Sequence, residues 1–286
     1  MNPTGLFIGR ATVDIISSVA SFPAADDKVL ARDRVTVAGG PALNAAVTFA
    51  ALGGDATLVT SVGDDLFGDI VTRECHEFGV RLLALERRAR VVTPSSVILS
   101  SLDTGLRCVV NSPPETVPAL AAQQPPLPSA TDVVLLDQFE ADAVEVLAEG
   151  LASTKAPIVL DGGSWKASSE LFLRVATLPI VSSRFVAPSV TDISQMPDYL
   201  TKRGLARWAI TQGAGGVLWS EAGRTATIPA VPVNAVDTLG AGDVFHGAFC
   251  HAYARRTDFR GSLQFAAKIA AESCRFVGTR RWISGA

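Results

Sequence analysis

The sequence has few charged side chains, and this shortage excludes one large class of partner. Charged residues occupy 19% of the 286 positions, whereas about 25% is typical of globular domains. The 25 basic residues are outnumbered by 28 acidic residues, and no basic stripe is present that would neutralise the phosphate backbone of DNA or RNA. We therefore expect no nucleic-acid partner.

Cysteine and histidine are also scarce, which argues against a recognisable metal centre. The chain has four cysteines, widely spaced and never arranged as Cys-x-x-Cys, and three histidines, so no ligand set with metal-binding spacing can be assembled. No run of about 18 apolar residues occurs, and the stretch from Met1 to Asp14 lacks the basic and long apolar regions of a signal peptide. These absences predict a cytoplasmic protein that does not contact a membrane.

Apolar residues, by contrast, make up 48% of the chain, which is enough for a large core without a disulfide or a structural metal. Short apolar runs bounded by turn residues alternate with helical patterns, and this alternation predicts a parallel sheet covered by helices on both faces. The first predicted strand is Gly5–Val13, with Asp14 in the loop that follows it. Further strands are predicted at Ala56–Val62, Asp132–Asp137, Pro157–Asp161 and Arg207–Thr211, and helices at Pro41–Leu52, Leu66–Phe78 and Glu140–Ala152.

Two segments do not fit this alternation of strands and helices, and they predict a second, smaller sheet. Residues 28–37 and 91–110 alternate apolar and polar side chains, as strands with one exposed face do. We interpret them as a β lid, formed by about residues 15–38 and 91–111, that is inserted into the α/β core. The alternative is a meander that extends the edge of the main sheet. Residues 1–286 are expected to form a single domain.

The most informative segment is Val236–Phe249, with the sequence VDTLGAGDVFHGAF. Apolar residues recur at helical spacing after Gly242, so Gly240, Ala241 and Gly242 are predicted to lie at the amino terminus of a helix. The first N–H groups of a helix have no partner within it, and glycine allows close approach, which predicts an anion hole. Asp243 would accept a hydroxyl proton during phosphoryl transfer, or would only cap the helix. The loop is neither a Walker A motif nor a dinucleotide-binding fingerprint.

A second glycine pair, Gly39-Gly40, opens the helix predicted at Pro41, where proline suits the first helical position. Asn44 is a polar residue in an otherwise apolar helix, and its amide would bind sugar hydroxyls or would tie down a loop. Asp14 is the other candidate for hydroxyl recognition, because open parallel sheets bind ligands at the carboxyl ends of their strands.

Together, these glycine segments resemble the two signatures of the ribokinase-like (PfkB) carbohydrate kinase family. The first is GGPALNAAVTFAALGGDATLVTSVGDDLFGD and the second is VDTLGAGDVFHGAF, in the family's order and about 200 residues apart. The resemblance covers most of the chain and looks nearest to ketohexokinases and sulfofructose kinases. It implies a three-layer α/β/α sandwich with a mostly parallel central sheet and a small β lid, and transfer of the ATP γ-phosphate to a sugar hydroxyl.

The resemblance also implies roles for individual residues. Asp243 would be the catalytic base beside an anion hole formed by Gly240–Gly242. The nucleotide would lie against the glycines of that loop together with Thr211, Gly213 and Gly216. The sugar would be held by Asp14, Lys28, Gly39, Gly40, Asn44, Arg107 and Asn111.

The cofactors implied by the family are ATP and Mg²⁺ and, in many members, K⁺. Asp237 and the Leu239 carbonyl correspond to part of the monovalent-cation site, and the alternative is a structural turn before the anion hole. The magnesium ligands stay unassigned, because the family's N-x-x-E segment has no counterpart near residues 185–189. The stretch Arg280–Ile283, with the sequence RRWI, has no function in this interpretation.

Two alternatives stay open on the same fold. A nucleoside or vitamin kinase would need aromatic side chains to stack on its acceptor, whereas the chain has only two tyrosines and polar candidate residues that favour a sugar. A non-catalytic nucleotide- or sugar-binding protein is favoured by the missing N-x-x-E segment and opposed by the presence of Asp243. The family also implies a homodimer formed through the lid strands, which would cover open sheet edges.

Overall fold

A nine-stranded sheet forms the centre of the computed structural model, which describes residues 2–112, 117–122, 124, 126–128 and 130–285. Neighbouring strands are parallel except at one edge, where the last three strands are antiparallel. In their order across the sheet, the strands are β13 (Arg224–Ile228), β12 (Val217–Glu221), β11 (Arg207–Thr211), β10 (Leu178–Ser182), β9 (Ile158–Gly162), β8 (Val133–Leu136), β1 (Thr4–Ile8), β4 (Asp55–Thr60) and β5 (Val80–Ala84).

Helices cover both faces of this sheet and form two hydrophobic cores. Along β1, Phe7 points into one core while Leu6 and Ile8 point into the other, as expected of a strand buried on both faces. The first core is covered by α1 (Pro41–Ala51), α2 (Leu66–Glu77), α7 (Ala241–Ala254) and α8 (Phe259–Ser273). The second is covered by α3 (Ala141–Val146), α4 (Ala148–Ser153), α5 (Ser169–Val175) and α6 (Met196–Lys202). The predicted three-layer α/β/α arrangement is confirmed.

Among the residues that the structure describes, short 3₁₀ turns complete the regular structure at Ile193–Gln195, Gly213–Gly215 and Arg281–Gly285. None of the helices in the described residues combines the length and the apolar character needed to cross a membrane.

A second, four-stranded sheet is built from the two stretches that the sequence sets apart from the main sheet. Its strands, in order, are β3 (Asp33–Gly39), β2 (Thr12–Val19), β6 (Ser95–Ser101) and β7 (Arg107–Asn111). The central pair is parallel and the two outer pairs are antiparallel. Because no strand of this small sheet pairs with the main sheet in the described part of the chain, the alternative of a meander that extends the main sheet is wrong.

The predicted strand Gly5–Val13 is in fact two strands, and Asp14 does not lie in a loop. The chain turns at Gly9–Ala11, after which β2 begins and carries Asp14 as its third residue. Glycine is needed at the turn because a Cβ on Gly9 would lie 2.1 Å from the carboxyl group of Asp137. The apolar pattern continues from β1 into β2 and hides the boundary between the two sheets.

Buried Asp137, directly after β8, holds the carboxyl ends of the strands together. Its carboxylate accepts backbone N–H bonds from Arg10 after β1 (2.7 Å), from Ala42 in the first turn of α1 (3.1 Å) and from Phe139 (3.0 Å). Burial raises the pKa of Asp137 to about 7, against the opposing effect of these N–H bonds. Asp137 thereby fixes the start of α1 above the strand ends.

The packing of α7 against α8 gives a testable prediction for stability. Phe249, on α7, is fully buried and contacts Phe259 of α8 edge to face. We expect Phe249→Ala to lower the free energy of unfolding by about 3–5 kcal/mol, because a buried ring is lost and a cavity remains. Urea denaturation followed by circular dichroism measures this change. Val146→Ala, at an exposed position of α3, is the control, and an equal effect of both substitutions would contradict the described packing.

Candidate active site

The glycine loop Gly240–Gly242 leads directly into α7. Gly240 has a left-handed φ of 69°, which favours glycine, and a Cβ on it would lie 2.6 Å from Thr279 Cγ2. Gly242 faces open space, with no atom within 4 Å of the position that a Cβ would occupy. The loop therefore leaves room for an anion to approach the amino terminus of a 14-residue helix, where the unpaired N–H groups and the helix dipole stabilise negative charge.

Asp243, in the first turn of α7, contacts the segment that begins with Gly39-Gly40. Its Oδ2 accepts a hydrogen bond of 2.7 Å from Nδ2 of Asn44, which lies one turn into α1, the helix that begins after Gly40. Burial raises the pKa of Asp243 to about 7, and Asp161 of β9 also raises it, whereas the bond from Asn44 and the nearby His246 lower it. A carboxyl group that titrates near neutral pH is matched to the task of accepting a proton.

Asp14 approaches the same glycine pair from the small sheet. A Cβ on Gly39 would lie 2.1 Å from Asp14 Oδ2, so only glycine leaves room for this carboxylate. Thr12 Oγ1 donates a hydrogen bond of 3.1 Å to Asp14 Oδ1. Burial raises the pKa of Asp14, while hydrogen bonds from Thr12 and Ser96 and the charge of Arg280 lower it.

The polar side chains of the second predicted lid segment approach the site in two ways. Asn111 Oδ1 accepts a hydrogen bond of 3.0 Å from Ser96 Oγ, and Ser96 is paired in register with Asp14, so β2, β6 and β7 carry one polar row. Arg107 Nη1 donates to Thr238 Oγ1, in the turn before the glycine loop, at 3.0 Å. This contact links the small sheet to the amino terminus of α7.

Lys28 is exposed in the connection between β2 and β3. The antiparallel register pairs Thr12 with Gly39 at one end of these two strands, and the connection joins them at the other end, after Ser18 and before Asp33. The role of Lys28 in sugar binding stays a prediction.

A cavity of about 650 Å³ opens on the other side of the glycine loop. Its lining joins three residues predicted to bind a nucleotide, Thr211, Gly213 and Gly216, to the loop residues Ala241 and Gly242. Most of the remaining wall is apolar and comes from the segment after β13 and from α7 and α8, including Val231, Val233, Phe245 and Ala270. An apolar cleft that ends at a helix amino terminus suits a ligand with a flat base and an anionic tail.

Asp237 and Leu239 form a tight turn before the glycine loop. Asp237 Oδ1 accepts the N–H of Leu239, and its Oδ2 accepts the N–H of Gly278, both at 2.9 Å. Each carboxylate oxygen keeps lone pairs after these bonds, so the turn fits the predicted monovalent cation as well as a structural role. Among the residues that the structure describes, no group of three or more His, Cys, Asp or Glu is arranged to hold a metal ion.

Comparison with known proteins places this geometry in a family. The model of the pfkB family carbohydrate kinases matches residues 5–283. The chain belongs to the PfkB family. The protein is accordingly a carbohydrate kinase, a phosphotransferase, and the resemblance drawn from the two glycine segments is confirmed at this level.

Several of the proteins similar to this chain are named ribokinases. Ribokinase from Bacillus subtilis (strain 168) is 28% identical over 277 residues, which cover 94% of this chain and 92% of that protein. The crystal structure of a ribokinase candidate from Agrobacterium tumefaciens has a TM-score of 0.85 and 26% identity, covering 99% of this chain and 94% of that one. The ribokinase of Arabidopsis thaliana complexed with ribose and ATP shares the fold, with a TM-score of 0.73, 21% identity and coverage of 97% and 94%. The finer resemblance to ketohexokinases and sulfofructose kinases stays a prediction.

Several residues near the PfkB site were not assigned from the sequence. Arg280 Nη1 donates to Asn44 Oδ1 at 2.7 Å, and Asp161 Oδ2 lies 3.4 Å from His246 Nδ1, one turn after Asp243 on α7. Of these residues, only Asp161 could have been proposed from the sequence, because it ends a predicted strand at the edge of the sheet where ligands bind.

The raised pKa of Asp243, which is half-buried, leads to a prediction that does not depend on activity. We expect Asp243→Asn to raise the melting temperature at pH 8, because the folded protein then no longer buries a charge while Asn still accepts the bond from Asn44. The pKa of about 7 lies above that of an unfolded aspartate, so the wild-type carboxyl group takes up a proton below pH 7 and the difference should shrink there. Calorimetry at pH 8 and pH 6 measures this. Exposed Glu145→Gln is the control, and a lower melting temperature for Asp243→Asn at pH 8 would refute the prediction.

Proposed function

We propose that the protein transfers the γ-phosphoryl group of ATP to a hydroxyl group of a sugar, with Asp243 as the catalytic base. One observation carries the proposal. The loop Gly240–Gly242 borders the apolar cavity on one side, while the next residue, Asp243, contacts Asn44 in the segment that begins with Gly39-Gly40. A nucleotide in the cavity and an acceptor beside Asn44 would therefore meet at the first turn of α7.

The nucleotide would bind with its base against the apolar wall of the cavity and its phosphates at the glycine loop. The backbone N–H of Gly242, aligned with the dipole of α7, would hold the γ-phosphoryl group and stabilise the charge on its oxygens during transfer. The N–H of Ala241 would join it by exchanging its 3.3 Å bond to the Thr238 carbonyl for one to the phosphoryl group. The shared fold of the Arabidopsis ribokinase, which was solved with ribose and ATP, supports this choice of donor.

The acceptor hydroxyl would lie between Asp243 and the glycine loop. Asp14 offers a hydrogen-bond acceptor and Asn44 a donor to further hydroxyl groups of a sugar. As the bond from the acceptor oxygen to the γ-phosphorus forms, the bond from that phosphorus to the leaving oxygen of ADP breaks. The acceptor proton would pass to the carboxylate of Asp243, which must therefore be ionised when the acceptor binds.

Mg²⁺ and K⁺ are part of the proposal. Mg²⁺ bound to the nucleotide would neutralise phosphate charge, and it is held mainly by phosphates and water in such sites, so it needs few protein ligands. The Asp237 carboxylate and the Leu239 carbonyl supply oxygen ligands of the kind that K⁺ takes, in the turn that precedes the glycine loop.

An ADP-release assay over a panel of acceptors, with ATP, Mg²⁺ and with or without K⁺, tests the function. Pentoses come first, because the Bacillus subtilis relative is a ribokinase, followed by hexoses, nucleosides and sugar acids. Sugar acids are included because the Arg10 and Lys166 cationic groups lie 4.0 and 4.6 Å from the centre of the Phe139 ring, near the strand ends. If ADP forms with nucleosides alone, the acceptor is a nucleoside and not a sugar. If ligands bind but no ADP forms over the whole panel, the protein is a binding protein and not a kinase.

Substitution of the proposed base tests the mechanism. We expect Asp243→Asn to lower kcat by about 10²- to 10⁴-fold, the usual contribution of general base catalysis, with little change in the dissociation constant of the nucleotide, which occupies the cavity beside the loop. Steady-state ADP release and isothermal titration measure the two quantities. Glu145→Gln should behave as wild type, and an unchanged kcat for Asp243→Asn would remove Asp243 from the mechanism.

The pKa of Asp243 predicts the pH dependence of the reaction. Because the base must be ionised, kcat/KM for the sugar should be constant above a pH of about 7 and fall about tenfold per pH unit below it. Measurement of kcat/KM for the sugar as a function of pH, at saturating nucleotide, tests this prediction. A fall in kcat/KM centred near pH 4 would show that the group responsible titrates like an exposed carboxyl group and not like Asp243.

The exposed apolar side chains of the small sheet support a homodimer. Val97 on β6 and Val109 and Val110 on β7 are 47%, 43% and 61% exposed, next to an open strand edge of the kind that proteins cover. We expect the protein to sediment as a dimer at micromolar concentration and Val110→Lys to weaken it. A monomeric wild-type protein would refute this part of the proposal.

A further inference from the structure

The stretch RRWI, to which the sequence assigned no role, lies beside the proposed acceptor site. Trp282 is buried, with 3% exposure, and its Nε1 donates to the Thr279 carbonyl at 3.1 Å. Arg281 Nη2 donates to Asp33 Oδ2, at the start of β3, at 2.8 Å. Buried Trp282 anchors the segment and places Arg280 against α1, α2 and the end of β3, whereas the pair of Arg281 and Asp33 is solvent-exposed and contributes little to this placement.

The Arg280 side chain is only 11% exposed and contacts all three of these elements. Its Nη1 donates to Asn44 Oδ1 at 2.7 Å, and its Nη2 donates to the Ala38 carbonyl at 2.7 Å. Its Nε lies 3.4 Å from Glu74 Oε2, and Glu74 Oε1 accepts the N–H of Ala38 at 2.6 Å. Arg280 therefore binds the carbonyl group of Ala38 and Glu74 binds its N–H group, directly before Gly39.

The contact between Arg280 and Asn44 fixes the orientation of the Asn44 amide. A guanidinium only donates hydrogen bonds, and an ionised carboxylate only accepts them. Asn44 Oδ1 faces Arg280 and Nδ2 faces Asp243, so an exchange of the two ends would place donor against donor and acceptor against acceptor. One of the two N–H groups of Asn44 Nδ2 donates to Asp243, which leaves the other as a donor for an incoming acceptor.

We propose that Arg280 is a positioning residue for phosphoryl transfer, which orients Asn44 and, through it, holds the Asp243 carboxylate beside the glycine loop. The inference rests on the proposed function. It also assigns Glu74 a role, as the counterion that offsets part of the charge of Arg280.

The charged groups around Arg280 support its role as a positioning residue. Burial lowers the pKa of Arg280, whereas Glu74, Asp14 and Asp243 raise it, in that order, and the charge of Arg280 in turn lowers the pKa of Asp14. The titratable groups that face Asp243 are Asp161 on β9, His246 on its own helix, Asp14 on β2 and Arg280. Since Arg280 is the cation that faces both Asp14 and Asp243, its removal should make both carboxylates harder to ionise.

Three substitutions test the proposal by steady-state kinetics. Arg280→Met keeps the bulk of the side chain and removes its charge and donors. It should lower kcat by about 10- to 100-fold, as misplacement of a reacting group does, and move the acid limb of kcat/KM to higher pH, with the dissociation constant of the nucleotide unchanged. Arg280→Lys should restore the position of the limb but not the full kcat, because one ammonium group cannot replace the guanidinium fork. Arg281→Met, in the same segment, is the matched control and should stay within twofold of wild type.

Glu74→Gln separates this role from a structural one. It removes a negative charge beside Arg280 while keeping an oxygen for the Ala38 N–H, so the acid limb should move to lower pH, opposite to Arg280→Met. A merely structural role would lower the melting temperature of both variants and leave the limb of the folded enzyme in place. That result would overturn the proposal.

A titration of the ligand-free protein decides the inference even if the proposed function fails. With ¹³C-labelled aspartate, and with the Asp243 signal assigned by its loss in Asp243→Asn, the apparent pKa of Asp243 should rise in Arg280→Met and fall in Glu74→Gln. If wild type forms no ADP with any acceptor, the proposed function is wrong and this titration still applies. If the titration is the same in all three proteins, or if Arg280→Met is unfolded and Glu74→Gln titrates as wild type, the inference is wrong.

Discussion

The hydrogen bond from Asn44 to Asp243 is the contact on which the arrangement of the site depends. It joins α1 to α7, and with them the two glycine segments, across 199 positions of the chain. Each helix begins at the carboxyl edge of the parallel sheet, where Asp137 fixes the start of α1 by its bonds to three backbone N–H groups. Without this bridge, the amino terminus of α7 would still stabilise negative charge, but the Asp243 carboxylate would lose the contact that fixes its position.

Negative charge is concentrated at this edge. Asp14, Asp137, Asp161 and Asp243 lie close enough to influence one another, and burial raises the pKa of three of them, Asp14, Asp137 and Asp243. The molecule offsets the cost of desolvation with backbone N–H groups, with the amino termini of α1 and α7, and with one buried guanidinium. Holding these carboxylates together costs free energy. Their raised pKa values suit the proton transfer near neutral pH that we propose.

Local patterns predicted the frame of the molecule well. The strand Arg207–Thr211 and the helices that follow Gly40 and Gly240 are determined mainly by residues close in sequence. Turn residues and the spacing of apolar residues reveal such elements directly. Asp14 was misplaced because nothing in the local pattern marks the turn that Asp137 imposes at Gly9. Arg280 was left without a role because its partner Asn44 lies 236 positions earlier, and contacts over such separations leave no periodic signal in a single sequence.

The same long separations have a consequence for folding. Closing loops of this length costs conformational entropy before any contact offsets it, so the residues that meet at Asp243 come together only once most of the chain has found its topology. A partly folded intermediate therefore has no complete pocket with which to capture a ligand. Substrate binding should accordingly act on the fully native state alone and stabilise it by mass action, rather than guide the chain along its folding path.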